Sequence, residues 1–148
     1  MSIYKTQSIQ FIIMIIVGIL FNPMNILAYR INDLYISLTL LYGGILMASN
    51  MIWAHEIIHY LSMGHLNMGI FIVGILMSVA SSILLLRKQL GVDDNQWLKR
   101  MISHHSTALT TSKIISKKSK NDALIKLAND IIDTQEREIK LMKSLIVA

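Results

Sequence analysis

Three stretches of this chain carry no Asp, Glu, Lys, Arg or His: residues 6–29, 34–54 and 66–86, which are 24, 21 and 21 residues long. A bilayer core of ~30 Å needs about 20 such residues in a helix. In lipid the backbone must satisfy its own hydrogen bonds, and a helix does so within one segment. The stretches therefore predict three transmembrane helices, at about 8–28, 34–54 and 66–86, with the lipid bilayer as first partner. Composition agrees: 16% of the residues are charged, against about 25% in soluble domains, and mean hydropathy is +0.52. The first stretch meets Asn22-Pro23, where the missing proline N–H predicts a kink or an early end. A cleaved signal peptide is the rival for it. A single Lys5 in the leading region, and Ile26-Leu27-Ala28 where a small-residue cleavage pattern belongs, favour a retained helix.

Twelve of the 14 Lys and Arg lie from Arg87 onward, so an apolar front precedes a basic back. Lys5 and the loop from His55 to His65 share one side of the predicted membrane, and Arg30, Arg87, Lys88 and the tail share the other. The excess of cations places the C-terminal hairpin on the cytoplasmic side. The tail's lysines are interspersed with Asp and Glu on helix faces, and no aromatic platform accompanies them, which favours a solvated or lipid-headgroup-facing surface and no nucleic-acid partner. Zero Cys excludes disulfides, thiolate metal sites and cysteine nucleophiles. Ten Met and five His remain as soft and borderline metal ligands.

The fold class is all-α: a transmembrane region over 1–90 and an antiparallel helical hairpin over 91–148. Gly91 ends the third span, and Asp93 with Gln96 forms a capping-box-like start. Trp97, Met101, His104, Ala108, Thr111 and Ile115 recur at alternating steps of four and three. Residues 116–120 are polar and turn-like, and Asn121 or Asp122 caps the second helix. Its stripe is Leu124, Ala128, Ile131, Gln135, Glu138, Met142 and Leu145, a seam of coiled-coil period. Folded antiparallel, His104 faces Gln135, Met101 faces Glu138 and Trp97 faces Met142. The seam is then polar in its middle, and a carboxylate buried there needs a proton, a cation or a metal. The plainer alternative sets Glu138 at the seam's edge, in water, with His104 as a hydrogen-bonded neighbour.

The segment Met101-Ile102-Ser103-His104-His105-Ser106-Thr107-Ala108 resembles the M-I-x-H-H-x-x-A motif of the family catalogued as domain of unknown function 305. Ile131-Ile132, Gln135, Glu138-Ile139 and Met142 are similar to the same family's second helix, so the resemblance covers about residues 93–145. It implies half of a ferritin-like four-helix bundle, membrane-anchored relatives, and copper binding of a kind found outside the cytoplasm. The implied ligands are Met101, His104, His105 and Met142, with Gln135 and Glu138 near them. Thr111 departs from the pattern, because many members have Met near that position.

A second column, Met47, Met51, His55, His59 and Met63, recurs every four residues. Met with imidazole suits Cu(I), and imidazole with carboxylate suits Zn(II) or Cu(II). Ordinary span filler explains the same spacing. His55-Glu56-Ile57-Ile58-His59 also matches H-E-x-x-H, in which two His hold zinc and the Glu activates water. A protease needs a third ligand and a cleft besides, and His65 is the one ligand at hand.

The leading expectation is a small integral membrane protein, not an enzyme, that binds a metal for handling or storage. Copper is the first choice and zinc the alternative. The rivals are a structural membrane protein with an assembly hairpin, and an intramembrane zinc metalloprotease. Leu98, Ile102 and Leu109 on the first hairpin helix, and Leu127, Ile132 and Ile139 on the second, form further apolar faces. Covering them predicts a homodimer or higher oligomer. Glycines at 43, 44, 69 and 74 let the spans approach closely.

Overall fold

The structure, a computed structural model, describes residues 3–146. In chain order the elements are α1 (Ile3–Leu20), α2 (Pro23–Ile26), a 3₁₀ turn (Ile31–Asp33), α3 (Leu38–Met63), α4 (Met68–Ala80) continued by a π-helical turn (Ser81–Arg87), α5 (Asp94–Lys118) and α6 (Asp122–Leu145). The described residues form no strand. They fall into two units, the described parts of Met1–Leu20 with Leu38–Gly91, and of Phe21–Ser37 with Val92–Ala148. Residues 21–37, inside the region predicted to be transmembrane, thus group with the hairpin. The predicted hairpin region also includes 147 and 148, which lie outside the described residues.

In the first unit α3 packs against both α1 and α4. Its buried positions Leu40, Gly44, Ala48, Ile52 and Glu56 repeat every four residues. Small residues set the approach: a Cβ on Gly18 would lie 3.1 Å from the Gly44 Cα, and one on Gly74 would lie 3.0 Å from the Trp53 backbone nitrogen. Two stretches are long and apolar enough to cross a membrane, Tyr4–Ile26 with 23 residues and Met68–Arg87 with 20. That is two where the sequence predicts three. The predicted middle span at 34–54 becomes α3, which starts later and runs on to Met63. Ser49, Asn50, His55, Glu56 and His59 make this helix more polar than the other two stretches. The break at Asn22-Pro23 is present: Asn22 Oδ1 accepts the Met24 N–H at 3.0 Å, and Pro23 opens α2 where a missing donor does no harm. The end of α4 is tied as well. Gln89, at φ 50°, donates through Nε2 to the Leu86 carbonyl and accepts through Oε1 from Thr39.

In the second unit α5 and α6 form the antiparallel hairpin. Both caps are where the sequence puts them: Asp93 accepts the Gln96 N–H at 2.7 Å, and Asn121 accepts those of Ala123 and Leu124 at 3.0 and 3.3 Å. The seam is different. Its core is Leu98, Ile102, Leu109, Ile139 and Met142, with Tyr35, Met101, Ile132 and Ile146 packed against it. Relative to expectation the α5 face is rotated by one residue, about 100° of helix. Trp97 stays 51% exposed and His104 is exposed, while Ile102 and Leu109 have no accessible surface. Each such side chain contributes about 1.5–3 kcal/mol by leaving water. The apolar faces predicted to await a second copy are therefore covered within one chain, with Leu127 the exception.

The reason for the rotation lies in the segment 21–37, which docks on α5. Ser103 Oγ donates to the Asp33 carbonyl at 2.9 Å and accepts the Tyr35 N–H at 3.3 Å. Ser106 Oγ donates to Asp33 Oδ2 at 2.7 Å and accepts the Tyr29 N–H at 2.8 Å. The Asp33 carboxylate has no accessible surface, and the Lys143 ammonium from α6 closes its other oxygen at 2.5 Å. Helix α5 is thus covered from two sides, and the Leu98–Ile102–Leu109 column is the one left for α6.

Candidate functional site

On the hairpin, one turn of α5 presents Met101, His104 and His105. His105 Nδ1–H donates to the Met101 carbonyl at 2.8 Å, a one-turn bond that fixes the ring. Its Nε2 lies 2.8 Å from Glu138 Oε2 on α6. Glu138 is half-exposed, so the carboxylate sits at the edge of the seam, as in the plainer alternative, with His105 and not His104 as its partner. The His104 ring stands 6.0 Å from that of His105, edge to face. Partial desolvation of the His104 ring, the nearby Arg100 guanidinium and His105 together hold its pKa below the usual imidazole value. Neutral imidazole, the form that ligates metals, is thereby favoured at His104.

The remaining hairpin candidates separate. Met142 is 7% exposed and belongs to the core, not to the open flank that holds His104. Gln135 is half-buried in the face of α6 that meets α5, and Met101 packs at the core's margin. The structure therefore pairs His105 with Glu138 and sets His104 beside His105, while Met101 packs against the core and Met142 lies within it. Sequence reasoning missed the Asp33–Ser106–Lys143 cluster, because Asp33 reads as an ordinary charged loop residue.

In the first unit, the Met/His column also separates. Met47 Cε packs toward Gly18 of α1, Met51 is 37% exposed and Met63 74% exposed. His55 and His59 are stacked with ring centres 6.4 Å apart, and His65 from the following turn stands 6.1 Å from His59. Glu56 is 2% exposed and accepts the Asn67 N–H at 3.0 Å at the start of α4. Among the described residues no three His, Asp or Glu side chains converge as a ready-made metal site.

Fold and site together define an all-helical protein with two stretches fit to cross a membrane and a basic hairpin that carries a His-His pair. The chain belongs to the family described as Domain of unknown function (DUF305), whose model matches residues 77–146. It is 34% identical over 128 residues to the uncharacterized protein L153 of Acanthamoeba polyphaga mimivirus, an alignment covering 84% of this chain and 81% of that protein. An alignment of that length does not fit within residues 77–148, so it takes in part of the apolar front as well. No solved structure matches the chain.

Proposed function

We propose that this protein is a membrane-anchored metal-binding protein that holds a copper ion on the flank of its hairpin for handling or storage. The observation that carries this reading is the contact of His105 with Glu138 on an open flank of the hairpin, with His104 beside it. It offers one imidazole biased toward its neutral form, and a second already oriented by a backbone carbonyl and facing a carboxylate. An orienting bond on one ring nitrogen is the usual support of a ligating His. An ion shared by His105 Nε2 and Glu138 needs these atoms about 3.3 Å apart, so the present 2.8 Å contact must open slightly on binding. Met101, whose carbonyl holds His105, carries a thioether nearby in sequence that would favour copper over zinc if its side chain turned from the core toward the ion. The apolar stretches Tyr4–Ile26 and Met68–Arg87 anchor the chain, and α3 crosses with them as a third helix. The lysines and arginines from Arg87 onward place the hairpin on the cytoplasmic side. A tag-accessibility assay that finds the C-terminus outside reverses this orientation.

The test is titration of the purified, tag-free protein with Cu(I), Cu(II) and Zn(II). His104→Ala with His105→Ala should abolish the hairpin equivalent, and Glu138→Gln should weaken it by about 10- to 100-fold. Unchanged copper stoichiometry and affinity in the double variant reject the assignment.

A further inference from the structure

Where α3 turns into α4, a cavity of about 180 Å³ is bounded by Gln7, His55, Glu56, His59, His65 and Asn67. Three features of it point to a cation. First, three imidazoles surround it, with successive ring centres 6.4 and 6.1 Å apart. Two rings that share a zinc ion at ~2.0–2.1 Å from each nitrogen have centres roughly 5–6 Å apart, so both observed spacings must shorten, by rotation of the rings, when an ion is bound. The His59 Nδ1–H already donates to the His65 carbonyl at 2.8 Å, which leaves Nε2 as the lone-pair nitrogen. Second, Glu56 is 2% exposed, and among the described residues no ion pair involves it. A buried carboxylate with a backbone N–H but no cation is costly unless a positive charge joins it. Third, Gln7 is 9% exposed, and its Oε1 is buried without a hydrogen-bond partner, although its Nε2 reaches His55 Nδ1 at 3.5 Å. A buried oxygen without a partner, on a side chain that lines this cavity, is an acceptor with an unfilled need. No Lys or Arg lines the cavity, and it lies at the C-terminal end of α3, where helix carbonyls favour positive charge.

We propose that His55, His59 and His65, beside the Glu56 carboxylate, bind a divalent imidazole-preferring metal ion, Zn(II) in class, at a site separate from the hairpin. Nitrogen and oxygen donors without a thioether favour Zn(II) over Cu(I). The site is structural: Glu56 pins the start of α4, and the ion ties His65 in the turn to α3.

The experiment uses the full chain, without a His tag, in mild detergent. Zn(II) is titrated calorimetrically, and Co(II) reports coordination through its visible absorption. In the His104→Ala/His105→Ala background one Zn(II) equivalent should remain, and failure of the hairpin reading leaves this expectation intact. His59→Ala with His65→Ala should remove that equivalent. His65→Ala alone, in an exposed turn that tolerates the change, should weaken it at least ~10-fold, and so should Gln7→Leu. Absence of Zn(II) binding in the His104→Ala/His105→Ala background overturns the proposal, as does unchanged affinity in His65→Ala with helicity retained.

Discussion

Asp33 is a carboxylate without accessible surface, held by Ser106 Oγ and the Lys143 ammonium, and by nothing near it in sequence. Removing it strands the Ser106 hydroxyl and a partly exposed lysine. Asp33→Ala should therefore cost about 1–3 kcal/mol, the lower range for a pair in which one member still reaches water. Chemical denaturation followed by helical circular dichroism measures this, and a loss under about 0.5 kcal/mol contradicts the anchoring role. His104 makes a second test at this scale. Its ring is held below the ordinary imidazole pKa by desolvation first, then by Arg100 and His105. The unfolded chain thus takes up this proton before the folded one as pH falls, so His104 contributes a small loss of stability on acidification below the usual histidine range. NMR titration should place the His104 midpoint below that of a free histidine, and Arg100→Gln should move it upward. A midpoint at or above the free value in the parent protein removes the basis for a neutral ligand there.

At the scale of the element, what was legible in the sequence was local. The Asn22-Pro23 break, the turn at Gly91 and the caps Asp93 and Asn121 depend on a few neighbouring residues, and each is present. The seam was not legible. On α5 the columns Trp97–Met101–His104–Ala108 and Leu98–Ile102–His105–Leu109 run side by side, and both keep the four-three rhythm. Periodicity cannot choose between them. The choice comes from residues 21–37, far back in the sequence, which cover the Ser103–Ser106 face. The candidate ligand residues carry the same ambiguity: His105, not His104, meets α6, and Met142 is core. The two seams make opposite forecasts for substitution. Ile102→Ala should cost about 2–5 kcal/mol, as for a buried aliphatic cut back to a methyl. Trp97→Ala, at an exposed position, should cost under about 1 kcal/mol. Reversal of that order in denaturation midpoints restores the seam expected from the sequence.

At the scale of the whole molecule the question is what covers the apolar surface that remains. On α1 and α4, Ile12, Ile13, Ile16, Leu20, Ile72, Val73, Leu76 and Val79 are exposed, and both helices lie in stretches long and apolar enough to cross a membrane. The hairpin has no such excuse, since its helices carry most of the charge. The faces first expected to pair two copies are closed within one chain apart from Leu127, so a dimer must use other residues. Trp97 and Leu145 are 51% and 54% exposed and border one hollow of about 430 Å³ at the open end of the hairpin. An exposed Trp beside an exposed Leu over such a hollow suits association with a second copy, where aromatic anchors fill pockets. In mild detergent at micromolar concentration the protein should run as a dimer by light scattering or native mass spectrometry. Trp97→Glu with Leu145→Glu should convert it to a monomer while helicity is kept, because neither residue belongs to the buried core. A parent protein that is strictly monomeric and well folded rejects the dimer, and a dimer that survives both charges moves the interface away from the hairpin's open end.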